Sequence, residues 1–259
     1  MSYALITGGS KGIGYAIAEA LAKRKYDLVL VARHKNTLEN AKKKLEMKYG
    51  VKVSILCYDL SREESAEEIS AWCLKNNIPL NILCNVAAIG GSDDYLTSTL
   101  PEMQYMVRLN AGSGMALTMQ LLPLLQKDVP AFILNVASIA AFAPIPAKNM
   151  YSATKSAVLF FSYSLRYQLK KQQINVSALC PGPVFTKSEI EKVTIRELGK
   201  LGKMMAVTPA RVGEIAVRGL LNKKMIIIPG VLSKIMSTVI RMLPRRLVTY
   251  IYYTMGSKK

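Results

Sequence analysis

The sequence of 259 residues contains little histidine, little cysteine and few acidic side chains. His34 is its only histidine and stands in a surface-like segment, so we expect neither a histidine-based metal site nor a Ser-His-Asp triad to be built around it. No apolar run reaches the roughly 20 residues that a membrane-spanning helix requires. Residues 1–7 lack the basic and apolar regions of a secretory signal. We therefore expect no metal, no membrane-spanning segment and a cytoplasmic location.

The four cysteines do not have the spacing of a zinc site or of a redox pair. Cys57, Cys84 and Cys180 lie in apolar, strand-like runs, and none of the four belongs to a C-x-x-C pair. We expect reduced thiols that behave as small, buried hydrophobic side chains.

The 17 acidic side chains face 35 lysines and arginines, which gives a net charge of +18. Such a charge attracts anions, including nucleic acid, anionic lipid and phosphorylated small molecules. No helix-turn-helix, zinc-finger or RNA-binding signature accompanies it, so we expect no nucleic-acid partner. A solvated basic surface is the plain alternative.

Apolar, strand-like runs alternate with amphipathic helical patterns along most of the chain. Continuous β-branched runs such as DLVLVA at 27–32 are typical of strands that are buried on both faces. The alternation predicts an α/β fold with one doubly wound parallel sheet, the Rossmann topology, in a single domain spanning 1–259. The predicted strands are 3–7, 27–32, 51–59, 80–86, 131–138, 174–180 and 225–228, and the predicted helices include 37–49, 61–76, 100–126 and 149–171.

Two parts of the chain depart from this alternation. Residues 185–224 are helix-like with several breakers, which predicts a helical substrate lid. Residues 231–259 hold six lysines and arginines and no acid, and paired apolar residues recur along them at helical spacing. This basic amphipathic extension suits peripheral contact with an anionic membrane, or packing on the fold or on a partner subunit.

The first predicted strand leads through a glycine-rich loop, TGGSKGIG at 7–14, into a helix. Gly8 allows a tight turn, Gly12 allows the backbone to approach a pyrophosphate, and Gly14 allows the helix to pack on the strand. The helix N-terminus adds free N–H groups and a positive dipole end. We predict a dinucleotide-binding loop that also includes Ser10, Lys11 and Ile13.

The end of the second strand indicates which dinucleotide binds. An NAD-preferring site usually ends this strand with Asp or Glu, whereas this chain has Ala32 and Arg33. A guanidinium suits a 2′-phosphate, and Ser10 and Lys11 lie on the same side. We therefore predict NADP(H), the alternative being that Arg33 only stacks on the adenine.

The third strand ends at Asp59 and Leu60. Asp59 is placed to bond the edge of an adenine, and the alternative is that it caps the next helix. For that helix, Ser61 and Glu64 predict a capping box.

Tyr151 and Lys155 are four residues apart near the start of a predicted helix, so they share one helix face. A neighbouring ammonium stabilises a phenolate and brings the pKa of a tyrosine toward the working pH. The pair can therefore act as a general acid without histidine. Ser138 ends the preceding strand, where its hydroxyl can bond a substrate oxygen as charge develops.

Together these segments resemble the short-chain dehydrogenase/reductase family. The resemblance is carried by TGGSKGIG (7–14), Asp59-Leu60, Asn110, Ser138, YSATK (151–155) and PGPVFT (181–186). It implies that Tyr151 donates or accepts the proton, that Lys155 holds the nicotinamide ribose and that Ser138 orients the substrate. It further implies that Asn110 anchors a water that relays protons. The other implied cofactor contacts are Asn85, Ala87, Pro181, Gly182, Val184 and Thr186.

One segment departs from the family's pattern. The usual Asn-Asn-Ala-Gly after the fourth strand is Asn85-Val86-Ala87-Ala88 in this chain. The methyl group of Ala88 is expected to reduce cofactor affinity or to shift the loop, unless Gly90-Gly91 absorbs the change.

These features predict an NADP-dependent oxidoreductase that reduces a hydrophobic ketone or aldehyde, or oxidises the corresponding alcohol. The alternative is a low-turnover NADP(H)-binding regulatory or membrane-surface protein on the same fold. Helices 100–126 and 149–171 resemble those that form homodimers or homotetramers in the family. The apolar residues of the expected pocket rim favour an apolar substrate, with packing inside the lid as their alternative role. They are Ile139, Phe142, Ile145, Met150, Val184, Phe185, Met204 and Met205.

Overall fold

The computed structural model describes residues 2–90, 95–185 and 204–256, which form a single parallel sheet flanked by helices. The strands are β1 (Tyr3–Thr7), β2 (Asp27–Ala32), β3 (Val53–Cys57), β4 (Leu80–Asn85), β5 (Ala131–Val136), β6 (Ile174–Leu179) and β7 (Ile226–Ile227). Their order is β3-β2-β1-β4-β5-β6-β7, so the chain winds outward from β1 in one direction and then in the other. The predicted doubly wound Rossmann fold is confirmed.

Helices cover both faces of this sheet. In the described residues they are α1 (Gly12–Ala22), α2 (Lys35–Tyr49), α3 (Ser65–Lys75), α4 (Leu100–Val107), α5 (Ser113–Lys127), α6 (Asn149–Gln168), α7 (Pro209–Leu221), α8 (Val231–Met242) and α9 (Arg245–Gly256). Buried side chains of α1, α2 and α7 form one core with the sheet, and those of α3 and α5 form a second. In β2, Leu28 and Leu30 face the first core while Val29 and Val31 face the second, which explains why this strand is apolar throughout.

The helix predicted over 100–126 is interrupted. A π-helix, Arg108–Gly112, separates α4 from α5 and contains Asn110. Such widened turns occur frequently at functional sites. α4 begins with a capping box in which Thr99 and Glu102 bond reciprocally, and this box was not predicted.

The capping box predicted for Ser61 and Glu64 is wrong. The backbone N–H and the hydroxyl of Ser61 both donate to Asp59 Oδ1, at 3.0 and 2.8 Å, and α3 begins only at Ser65. The carboxylate of Asp59 therefore closes the turn that leads into α3.

The C-terminal extension forms α8 and α9, which are separated at Pro244 as the helix-breaking ring predicts. Ile240 and Val248 are buried in a third core that includes Phe142. Arg245 donates a hydrogen bond to the carbonyl oxygen of Phe142. One face of the extension therefore packs on the chain's own fold. Among the described residues, no helix has both the length and the apolar character needed to cross a bilayer.

Part of the predicted lid, residues 186–203, lies outside the described residues. Within the remainder, α7 packs on α1 and belongs to the first core. A lid therefore stays a prediction for the undescribed part alone.

Candidate active site

The glycine loop between β1 and α1 has a shape that side chains would obstruct. Gly8 and Gly12 adopt φ of +65° and +59°, in the left-handed region that favours glycine. A Cβ on Gly14 would lie 2.2 Å from the carbonyl oxygen of Gly8, and one on Gly8 would lie 3.2 Å from Cα of Ala87. The backbone thus forms a narrow cradle at the carboxyl end of β1.

The first turn of α1 opens onto this cradle. Lys11 precedes the helix in extended conformation, and its side chain caps none of the helix N–H groups. Free N–H groups and the helix dipole favour an anion at this end, so the residues present fit the pyrophosphate of a dinucleotide. Lys11 is exposed, whereas Ser10 and Ile13 are half-buried in the same loop.

Arg33 follows β2 and is held by a residue that the sequence did not single out. Its guanidinium donates to the hydroxyl of Tyr105 on α4 at 2.5 Å, and its Cζ lies 6.0 Å from the centre of the Tyr105 ring. The two residues are 72 positions apart, so no local pattern links them. After the neighbouring strand β3, Leu60 is buried, and Asp59 is engaged by the turn that precedes α3.

The end of β4 is tied to the glycine loop through Thr7. The Thr7 hydroxyl accepts hydrogen bonds from the N–H groups of Val86 and Ala87, at 2.8 and 3.0 Å. Ala88 is exposed, so its methyl group is accommodated without burial in the fold. Thr7 was not predicted as a site residue, although it is a polar residue at the end of an otherwise apolar strand.

Buried amides connect β4 to β5. Asn85 Nδ2 donates to Thr118 Oγ1 and to Asn135 Oδ1, both at 2.9 Å, and Asn135 donates to the Ser162 hydroxyl. Asn85 Oδ1 is buried without a partner among the described residues. A cavity of about 20 Å³ adjoins these amides, and its size and polarity suit one bound water. The signal for Asn135 is an amide inside the apolar strand AFILNV.

Asn110 fixes the segment that follows β4. Its Oδ1 accepts from the N–H of Ile89 at 2.8 Å, and its Nδ2 donates to the carbonyl of Ile89 at 2.9 Å. Nδ2 also lies 3.4 Å from Thr154 Oγ1 on α6, next to Lys155. The π-helix thus links this segment to the helix that carries Tyr151.

Tyr151 and Lys155 lie on one face of α6, as predicted from their spacing. Lys155 Nζ lies 5.8 Å from the centre of the Tyr151 ring and donates to the carbonyl of Val136 at 2.9 Å. Lys155 is only 2% exposed, and this burial lowers its pKa to about 8. Ser138 lies two residues beyond the end of β5 rather than within the predicted strand; it is buried, and its Oγ accepts from the N–H of Ala140 at 3.1 Å.

The segment after β6 lies against the C-terminal extension. A Cβ on Gly182 would lie 2.4 Å from Ser233 Oγ on α8, so a larger residue would force the Ser233 hydroxyl to move. Pro181 and Val184 are buried beside it, and Thr186 lies outside the described residues. Phe142, which is predicted at the pocket rim, is buried in the third core together with Ile240 and Val248 of the extension.

The chain is similar to curated enzymes over about three quarters of its length. The family model "short chain dehydrogenase" matches residues 2–196. Very-long-chain 3-oxoacyl-CoA reductase-B of Danio rerio is 30% identical over 198 residues, which cover 74% of this chain and 63% of that protein. The NADP-dependent 3-hydroxy acid dehydrogenase of Schizosaccharomyces pombe is 33% identical over 188 residues, which cover 72% of this chain and 73% of that protein. The match therefore spans less than two thirds of the length of the reductase.

Solved structures agree with this assignment. The short-chain dehydrogenase from Sphingobium yanoikuyae in complex with NADPH superposes with a TM-score of 0.78 at 28% identity, over 89% of this chain and 88% of that one. The L-sorbose reductase from Gluconobacter frateurii complexed with NADPH and L-sorbose superposes with a TM-score of 0.79 at 25% identity, over 88% of this chain and 94% of that one. The resemblance predicted from the sequence is confirmed, and the chain belongs to the short-chain dehydrogenase family.

Proposed function

We propose that the protein is an NADP(H)-dependent oxidoreductase that interconverts a hydrophobic ketone or aldehyde and its alcohol. The observation that carries the proposal is a buried lysine beside a tyrosine on one face of α6, bonded to the carboxyl end of β5 at the same sheet edge as the glycine cradle. The relatives named as NADP-dependent or solved with NADPH support it.

The cofactor supplies or accepts the hydride when it is bound. The residues of this chain position the substrate and transfer the proton. The Tyr151 hydroxyl gives a proton to the carbonyl oxygen in reduction and takes it back in oxidation. Lys155 holds the ribose hydroxyls and favours the phenolate of Tyr151 by its charge. The Ser138 hydroxyl bonds the substrate oxygen. Asn110 holds the water through which Lys155 is resupplied with protons.

We propose that the remaining predicted cofactor residues contact the dinucleotide along the same edge of the sheet. The glycine cradle and the first turn of α1 hold the pyrophosphate. Asp59 and Leu60 border the adenine, and the segments after β4 and β6 border the nicotinamide half. These segments contain Asn85, Ala87, Pro181, Gly182, Val184 and Thr186.

Arg33 is proposed to select NADP(H) by binding its 2′-phosphate, with Tyr105 holding the guanidinium in place. Arg33→Ala is expected to raise the KM for NADPH by about tenfold or more, because a charge-assisted bond is lost, and to leave the KM for NADH nearly unchanged. Tyr105→Phe should raise the KM for NADPH by a smaller factor and should also leave the KM for NADH nearly unchanged. Steady-state KM values for both coenzymes test this. Wild-type preference for NADH, or an equal rise for both, would contradict it.

The substrate class is tested by following NADPH oxidation by absorbance across ketones graded in chain length and ring count. We expect kcat/KM to rise with the apolar surface of the ketone, since the residues predicted for the pocket rim, Val184 and Met205 among them, are apolar. Turnover that favours polar ketones would contradict the substrate class. The absence of turnover with every ketone, together with tight NADPH binding, would favour the low-turnover binding protein instead.

We also propose a homodimer or homotetramer that forms through α5 and α6. Met119 on α5 and Phe160 on α6 are 74% and 66% exposed, so each of these helices has a large apolar side chain available for a contact between subunits. Light scattering on the full chain measures the assembly.

A further inference from the structure

α8 presents its large apolar side chains to solvent. Its buried face consists of Ser233, Ser237 and Ile240. At helical spacing on the other side, four large apolar residues are 45% to 81% exposed. A surface helix normally buries its apolar stripe, so this helix is inverted. The exposed residues are Val231, Ile235, Val239 and Met242.

α9 continues the same pattern after Pro244. Val248 is buried against the third core, whereas Leu247, Tyr250 and Ile251 are 45%, 65% and 40% exposed. Both helices therefore expose large apolar side chains, and we name these residues of the two consecutive helices the α8–α9 surface. Exposed apolar residues gathered in this way indicate a docking site.

The charges around the α8–α9 surface have a single sign. The last acidic residue of the sequence is Glu214, which pairs with Arg24 on α1. The 45 residues that follow contain nine lysines and arginines. Lys234, Arg241 and Arg246 are exposed on α8 and α9 themselves. The occupant of this surface must therefore accept cations and apolar side chains together.

We propose that the α8–α9 surface docks on a membrane that contains anionic lipid. Anionic headgroups neutralise the cations, and the acyl boundary takes up the apolar side chains. A second copy of this chain fits less well, because a symmetric contact would bring identical cations together without a carboxylate between them. Each helix has 12 residues, or about 18 Å of length, which is too short to span a bilayer, so the docking that we propose is peripheral.

Docking in this orientation has a consequence for the substrate. α8 lies directly behind Gly182, and Arg241 places its guanidinium carbon 5.2 Å from the centre of the Phe142 ring, four residues after Ser138. The membrane would then lie across α8 from the segment after β6, one helix away from the site of an apolar carbonyl. This consequence rests on the proposed function, whereas the docking itself does not.

Flotation of the full-length protein with vesicles tests the docking. We expect wild type to float with phosphatidylcholine vesicles that contain phosphatidylglycerol, less in high salt, and not with pure phosphatidylcholine. The double variant Ile235→Gln/Met242→Gln, which keeps good helix formers, should bind about tenfold less. The matched control Met47→Gln/Leu74→Gln removes exposed apolar residues from α2 and α3 and should float like wild type.

Turnover of a water-soluble ketone separates the two proposals, because the double variant changes no residue of the catalytic or cofactor site. Equal flotation of wild type and double variant would overturn the docking proposal, and so would failure of wild type to float. A dimer that dissociates in the double variant without any vesicle binding would assign the surface to a second copy and would also overturn it. If wild type floats with the vesicles but turns over no ketone, the proposed function alone is overturned.

Discussion

Replacing Tyr151 with phenylalanine is expected to lower kcat by at least about 100-fold, the usual contribution of one positioned proton donor. The variant keeps the ring beside Lys155 and removes only the hydroxyl. Binding of NADPH should therefore change little, because the ribose contact belongs to Lys155. Steady-state kcat for a reduced ketone, together with a fluorescence titration of NADPH, measures both quantities.

Tyr167→Phe is the matched control for this experiment. Tyr167 lies on the same helix, α6, but is 77% exposed, so removal of its hydroxyl should leave kcat unchanged. A Tyr151→Phe variant with kcat within about twofold of wild type would contradict the proton-donor assignment. A variant that no longer binds NADPH would show that the phenol shapes the coenzyme site and would also contradict it.

The order of strands and helices followed from local patterns. A strand buried on both faces must be apolar at every position, and β2 meets that condition with one core on each side. The glycine loop was equally predictable, because Gly8 and Gly12 occupy backbone conformations that side chains disfavour. Such features are set by residues close together in the chain.

Features that depend on distant partners were not predictable. Tyr105 meets Arg33, and Asn135 meets Asn85, only after the sheet has assembled. The π-helix at Arg108–Gly112 is likewise absent from helical periodicity, since a single widened turn leaves the apolar pattern on either side intact. Side-chain competition explains the wrong capping box, because the Ser61 hydroxyl bonds a carboxylate two residues before it.

The amphipathic pattern of the extension left its orientation undecided. Apolar residues surround most of α8, and periodicity alone does not say which of them meets the fold. The structure buries the serines, because Ser233 must fit closely against Gly182. The larger apolar residues are left on the outside as a result, and this choice creates the α8–α9 surface.

Lys155 is expected to make the stability of the cofactor-free protein depend on pH. Burial disfavours its charged form and lowers its pKa to about 8 from the usual 10.5. Below pH 8 both the folded and the unfolded chain hold the proton, so the penalty for burying the charge is present in full. Between these two values only the unfolded chain keeps it, so the free energy of unfolding rises with pH, by roughly 3 kcal/mol in total.

Lys155→Met removes this titration and keeps the length of the side chain. The free energy of unfolding of wild type, minus that of the variant, should therefore rise by roughly 3 kcal/mol between about pH 7 and pH 10.5. Loss of the hydrogen bond to the Val136 carbonyl shifts this difference by the same amount at every pH and does not affect the rise. Urea unfolding at a series of pH values measures the difference, with Lys170→Met as a control that removes an exposed amine. Parallel curves for wild type and Lys155→Met would contradict the burial argument. The variant should also lose about 100-fold in kcat, so that a group which destabilises the fold at neutral pH is one that the proposed reaction requires.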